Sequence, residues 1–228
     1  MKIRYALQRS GLWAGLFCLA LALGGCSSTP PPANWKMNAV SQLEHAQQRW
    51  LEGDRKAAEL AMSQARKEIA QSARLDLLAT AELAACATQV ASLDFSVCSA
   101  FDRLSADASA QDKGYARFLS GDWAGLAATA LPPHYSRLLE AKDDKQANQA
   151  AIEIKDPLPR LIAAAVLLRS RRAEPALMQV AVDTASDRGW RRPLLAWLEV
   201  QKSRAQAAGD TVAVNQVQRR IDLVLGKP

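Results

Sequence analysis

Residues 49–54 read Arg49-Trp50-Leu51-Glu52-Gly53-Asp54, and they separate two stretches with helical spacing of apolar residues. The upstream stretch, Ala39–Leu51, predicts a first helix. Glycine permits a tight turn, and aspartate is a favoured residue at the start of a helix. We therefore expect two antiparallel helices joined at Gly53-Asp54. The second helix has a stripe of small and apolar residues at Ala58, Ala61, Ala65 and Ile69.

The chain beyond this hairpin keeps helical spacing and shows no convincing alternation typical of strands. Abundant alanine and scarce glycine, tyrosine and phenylalanine favour helices over strands. Shorter helices are predicted near residues 109–120 and 123–130, residues 92–100 are irregular, and Pro132-Pro133 begins another helix. The stripe of a third helix is formed by Leu75, Ala79, Leu83, Cys86 and Val90.

The later part of the chain contains a strongly apolar helix that follows Asp156-Pro157. Residues 161–168 are all apolar, so we expect this helix at the centre of the packing, and it is too short to cross a bilayer. Pro175 and Pro193 fit the first turns of two further helices, and the last helix ends at Gly226. The expected fold is all-α, an array of short antiparallel helical hairpins.

Arg117-Phe118-Leu119-Ser120-Gly121-Asp122 is similar to residues 49–54 and begins 68 residues later. This offset is twice the 34-residue period of the tetratricopeptide repeat, a family of helical hairpins. Residues 43–72 also resemble that family in the spacing of their small packing residues, and Gly209-Asp210 marks a third similar turn. The resemblance implies a degenerate tetratricopeptide-like solenoid, and an irregular helical bundle is the alternative.

Within the first 26 residues, Lys2, Arg4 and Arg9 precede an uncharged stretch that ends at Leu23-Gly24-Gly25-Cys26. This arrangement resembles the precursor of a bacterial lipoprotein, and Leu23-Gly24-Gly25-Cys26 is similar to the lipobox of that family. The resemblance implies cleavage before Cys26 and lipidation of its thiol. Ser27 stands where an aspartate often retains such proteins in the inner membrane, which implies an outer-membrane anchor facing the periplasm.

Three segments follow from this interpretation: a signal peptide at 1–25, a lipidated cysteine with a proline-rich tether at 26–36, and a helical domain at 37–228. Three consecutive prolines favour an extended tether, with a reach of about 25 Å for residues 27–34. Without the signal peptide, the net charge of +6 falls to +3. This weak positive charge does not indicate a nucleic-acid partner.

Four cysteines are present, and Cys86 and Cys98 are the two within the helical domain. In an exported protein, such a pair is most simply a disulfide, and the alternative is two buried free thiols. The disulfide would hold the loop Leu93–Val97 against the third helix and add about 2–3 kcal/mol.

Seven arginines form a basic cluster along the second half of the chain. It has two readings: a contact for anionic lipid, peptidoglycan or an acidic protein, or solvated helix ends. We expect the tryptophans to be core residues, with Trp190 the exception worth mutating. The arginines are Arg160, Arg169, Arg171, Arg172, Arg188, Arg191 and Arg192.

The sequence contains no recognisable catalytic set, cofactor motif or metal-ligand spacing, and His45 and His134 are its only histidines. We therefore expect a non-enzymatic adaptor or scaffold that binds a periplasmic protein partner in envelope assembly or secretion. Two alternatives are an envelope enzyme or small-ligand binder with an inter-helix cavity, and a structural tether between membrane and peptidoglycan.

Overall fold

The computed structural model describes residues 33–227, and over this range the predicted all-α fold is confirmed. Eleven α-helices and two 3₁₀ turns, at Ala128–Ala130 and Pro133–Tyr135, make up the described part. None of these helices is long and apolar enough to span a membrane. The helices are α1 (Asn34–Glu52), α2 (Arg55–Ala70), α3 (Leu75–Ala91), α4 (Ser99–Asp102), α5 (Ala110–Ser120), α6 (Ser136–Glu140), α7 (Asp144–Ile152), α8 (Pro157–Arg169), α9 (Pro175–Asp187), α10 (Arg191–Ala207) and α11 (Thr211–Leu225).

The turn at Gly53-Asp54 ends α1 and begins α2 within two residues, as predicted. Gly53 has a φ of +95°, a conformation that glycine adopts without strain. The Gly53 amide donates to the Trp50 carbonyl at 3.0 Å, and the Asp54 amide donates to the Arg49 carbonyl at 2.9 Å. The Asp54 carboxylate then accepts from the Ala57 amide at 3.0 Å, so one short segment caps both helices.

The similar segment at residues 117–122 repeats the helix end but not the hairpin. Gly121 is also left-handed, and the Asp122 amide donates to the Arg117 carbonyl at 3.0 Å. The Asp122 carboxylate, however, accepts from the Arg117 guanidinium at 3.0 Å instead of capping a following helix. Gly125 adds a second left-handed residue, and Trp123 lies against Phe118. The helix predicted near residues 123–130 is therefore wrong, because turns and a 3₁₀ turn occupy that range.

The helices form two sets of neighbouring elements that pack together. In the first set, α1 packs along α2 and α3 contacts both helices, whereas in the second set α7 to α11 pack successively. Contacts of α3 with α8 and of α1 with α10 join the two sets. In a solenoid, each repeat contacts only the repeats next to it in the sequence. These contacts between distant helices therefore make the array an irregular helical bundle built from hairpins.

The apolar helix α8 lies at the centre of this bundle, as predicted. Its residues 161–167 are all buried, and six of them have no exposed surface. The second helix stripe is also confirmed, since Ala58, Ala61, Ala65 and Ile69 are buried. Leu75, which was placed on the third stripe, is instead exposed at the start of α3.

The less regular middle segment packs on the bundle through aromatic rings. Tyr135 lies 4.8 Å from Phe118 and 5.9 Å from Tyr115, measured between ring centroids. Burial raises the pKa of Tyr115 to about 12 and that of Tyr135 well above its usual value. Gly114 allows α5 to approach the Ala128–Ala130 turn, since a Cβ there would lie 2.8 Å from the Ala130 carbonyl oxygen. Ring packing and close approach thus replace helix pairing in this segment.

Replacing Arg171 with glycine should stabilise the protein. Arg171 is exposed and ends α8 at a φ of +59°, a conformation that costs a non-glycine residue about 1–2 kcal/mol. Because glycine has more freedom in the unfolded chain, we expect a net gain of about 0.5–1 kcal/mol in urea unfolding. Gly53→Ala is the matched control. Its Cβ would meet only open space, so the left-handed backbone alone should lower the free energy of unfolding by about 1 kcal/mol. A neutral or destabilising Arg171→Gly variant would contradict the strain.

Candidate functional site

A groove with a volume of about 460 Å³ lies between α2 and α3, above α1, and is partly open to solvent. One face of α2 forms its first wall, with residues at steps of three and four along the helix. The stripe from Arg55 to Arg66 measures roughly 16 Å at 1.5 Å per residue. The residues of this wall are Arg55, Ala58, Glu59, Met62 and Arg66.

The floor and the opposite wall combine apolar and polar groups. Leu43, Ala46 and Trp50 of α1 line the floor, and α3 contributes Glu82, Ala85, Cys86 and Gln89 to the second wall. The segment after α3 closes one end of the groove. Val97 belongs to this segment and is 79% exposed, so it lies at the rim.

The charged pair Arg66–Glu82 connects the two walls. The Arg66 Nε and one Nη donate to the two carboxylate oxygens of Glu82 at 2.5 and 2.9 Å. Only 6% of the Glu82 side chain is exposed, compared with 46% for Arg66. The hydrogen bond that Arg66 donates to Glu82 raises the pKa of Arg66. This pair holds α2 beside α3 where few other contacts join them.

The closed end of the groove contains the predicted cysteine pair. Cys86 of α3 and Cys98 lie at disulfide-bonding distance, with their Cα atoms 5.8 Å apart. Between them, the Asp94 carboxylate accepts from the Ser96 amide at 3.1 Å. The Arg169 guanidinium lies 5.2 Å from the centre of the Phe95 ring. The structure thus places the disulfide in the lining of the groove.

The arginines of the predicted basic patch do not form one surface. Arg169, Arg171 and Arg172 lie at the turn between α8 and α9, and Arg188, Arg191 and Arg192 lie at the turn between α9 and α10. These turns are at opposite ends of α9, roughly 20 Å apart for a helix of this length. The arginines at the two turns therefore do not meet in one cluster.

Most of these arginines bind other parts of the chain, which agrees with the helix-end interpretation. Arg169 and Arg191 donate to the Leu119 and Val224 carbonyls at 3.3 and 3.2 Å, near the ends of α5 and α11. Arg172 pairs with Asp144 at 2.6 Å. Arginine at such positions satisfies carbonyls that have no partner within their own helix.

Arg192 closes the junction between α1 and α10. Its Nε donates to the Trp50 carbonyl at 2.9 Å, and its guanidinium lies 4.1 Å from the centre of the Trp50 ring. Burial lowers the pKa of Arg192, and the neighbouring charge of Arg55 lowers it further. Trp190 is buried, and its indole N–H donates to Gln48 at 3.3 Å. Trp190 is therefore a core residue, although its position beside Arg191 suggested an exception.

The remaining candidate residues fit structural roles. His45 is exposed and receives a long contact of 3.5 Å from Arg49. Among residues 33–227, no cluster of three histidine, cysteine, aspartate or glutamate side chains could hold a metal ion. Cys26 lies outside the described residues. Comparisons of the chain with protein-family models, curated proteins and solved structures give no match.

The polar residues of the groove were missed by sequence reasoning. Arg55, Glu59 and Arg66 lie off the apolar stripe of α2, where charged residues usually contact solvent, so the sequence does not mark them as groove residues. The available signal was their own regular spacing at four and seven residues, which places them on one face. That signal alone does not distinguish a groove from an exposed surface.

Arg66→Ala should lower the free energy of unfolding by about 2 kcal/mol, because it leaves the buried Glu82 carboxylate without its cation. The matched control is Arg55→Ala, whose exposed pair with Glu59 should contribute little to stability. The double variant Arg66→Ala/Glu82→Leu should recover at least half of the loss. Urea denaturation measures all three, and equal losses for the two single variants would contradict this role.

Proposed function

We propose that the protein is a lipid-anchored, periplasm-facing adaptor of the bacterial envelope, whose groove binds an extended segment of a partner protein. The observation that carries this proposal is the groove between α2 and α3. Its roughly 16 Å wall matches about five residues of an extended chain at 3.3 Å each. Lipidation at Cys26 and an outer-membrane location are parts of the proposal that rest on the lipobox-like sequence.

The mixture of groups in the groove suits a peptide. Met62 and Leu43 offer apolar contact for side chains, and Gln47 and Gln89 carry amides that can both donate to and accept from a peptide backbone. Peptide-binding grooves commonly combine main-chain hydrogen bonds with pockets for alternate side chains. We infer that the occupant is a segment of protein in an extended conformation.

The charges of the groove favour binding over acid–base catalysis. Both carboxylate oxygens of Glu82 accept hydrogen bonds from Arg66, and Glu59 accepts one from Arg55 at 2.7 Å. A general acid or base needs a free proton-transfer site near its substrate. Both carboxylates are occupied by ion pairs with arginine, which supports a non-enzymatic role.

The tether and the domain boundary fit this role. The helical domain begins with α1 at Asn34, eight residues after Cys26. An extended tether would place the groove on the order of 25 Å from a lipid surface. A partner could then reach the groove without inserting into the membrane.

Cys26→Ser should release the protein from membranes, because it removes the thiol that would carry the lipid. Fractionation of cells should show the wild-type protein in the membrane pellet and the variant in the soluble fraction. Cys18→Ser is the matched control, since Cys18 lies within the proposed signal peptide and its loss should not affect anchoring. A Cys26→Ser protein that still sediments with membranes and resists carbonate extraction would refute the lipid anchor.

A photo-crosslinking residue at Val97, on the rim of the groove, should form a discrete adduct with one partner in intact cells. The same residue at Leu60, which is exposed on α2 and does not line the groove, should not form it. Ala85→Trp, which fills the groove from α3, should reduce the Val97 adduct by about tenfold, as expected for a loss of about 1.4 kcal/mol. Equal adducts at both positions, or no effect of Ala85→Trp, would contradict the groove as the binding site.

A further inference from the structure

We propose that the Cys86–Cys98 disulfide is a thiol–disulfide exchange site, and that its reduction opens the closed end of the groove. This inference rests on the groove being the binding site proposed above. Cys86 is fixed on α3, and Cys98 ends the segment 92–98 that follows this helix. The disulfide therefore joins a rigid helix to the segment that forms the end wall.

Few backbone hydrogen bonds join the end wall to the rest of the helical domain. The Asp94 amide donates to the Gln89 carbonyl at 3.1 Å, which completes the end of α3. Further along, the Ser96 amide donates to Asp94 and the Ser99 amide to Val97, so these hydrogen bonds stay within the segment. Leu93, Phe95 and Cys98 pack against the main core, and the Arg169 guanidinium lies 5.2 Å from the centre of the Phe95 ring. Ser96 and Val97 between them are exposed, so the disulfide at Cys98 is the covalent link that holds this part of the wall.

Cys98 is the more accessible of the two cysteines. Both cysteines line the groove, but Cys86 is only 5% exposed, whereas Cys98 is half-buried. An incoming thiolate would therefore attack the Cys98 sulfur from the groove, breaking the Cys86–Cys98 bond and releasing Cys86, which takes up a proton. A protein dithiol is the reductant that we propose.

The exchange balances with that dithiol alone. The first thiolate of the dithiol forms a mixed disulfide with Cys98. The second thiolate of the dithiol then attacks the first sulfur of the same dithiol, and Cys98 is released. The protein gains two electrons and two protons, and the dithiol becomes a disulfide. No further oxidant or reductant is needed.

Reduction would change the groove but not the bundle. Leu83 and Val90 of α3 remain buried in the main core with α8, so α3 should stay in place. The wall carries Asp94 and Val97, which line the groove and would move with it. We expect an opened groove with a different affinity for the partner, so that the redox state controls binding.

The test uses the purified full chain in detergent with Cys18→Ser and Cys26→Ser, so that the only remaining cysteines are Cys86 and Cys98. Dithiothreitol is the probe, and maleimide labelling with mass spectrometry counts free thiols. We expect two labelled thiols without loss of helical circular dichroism. Hydrogen exchange should rise about tenfold or more for amides 95–99 and stay unchanged in residues 161–167. Cys86→Ser/Cys98→Ser should reproduce this exchange pattern.

Two controls make the result decisive. Ala85→Trp should slow reduction by filling the approach to Cys98, and Leu60→Trp should leave the rate unchanged. Reduction that occurs only at the rate of global unfolding, or unchanged exchange at 95–99 after reduction, would overturn the proposal. These readouts need no partner, so a failure here is separate from a failure of the Val97 crosslinking experiment.

Discussion

The packing of α3 against the apolar helix α8 is the contact on which the rest of the structure depends. Helix α8 buries seven consecutive residues, so it needs neighbours on every side. Helices α3, α7 and α9 surround it, and α5 adds a further contact. Fully burying each large aliphatic side chain contributes about 1.5–3 kcal/mol, so this run is a major source of stability for the main core. The position of α3 is therefore set by α8 more than by its sequence neighbour α2.

Short helices in such a bundle leave many carbonyls without partners, and the chain satisfies them in two ways. Left-handed residues at the helix ends return two amides to the last turn, as at Gly53 and Gly121. Arginines from other helices cover further carbonyls, as Arg169 does for Leu119 and Arg192 for Trp50. These arginines thus fix how the helix ends meet, which explains why their positive charge does not accumulate in one patch.

Local signals predicted the fold well, and long-range contacts limited the rest. The stripe of α2, the apolar run of α8 and the turn at Gly53-Asp54 depend on neighbours within a few residues, so the sequence revealed them. The helix prediction after Gly121 is wrong because the Arg117–Asp122 pair and the ring packing of Trp123 oppose the local helix pattern. The choice between solenoid and bundle depended on α1–α10 and α3–α8 contacts, which no local pattern encodes.

The groove follows from the same division of contacts. Ala61, Met62 and Ile69 of α2 belong to a small core with residues of α1 and with Ala81 of α3, whereas most buried apolar residues of α3 belong to the main core around α8. Because most of α3 packs with α8, its contact with α2 is limited, and a cleft remains between them. Two cross-links border this cleft: the Arg66–Glu82 pair joins its two helices, and the disulfide joins α3 to the end wall. The first is fixed by burial of Glu82, whereas the second depends on the redox state, so the width of the groove is adjustable at one end only.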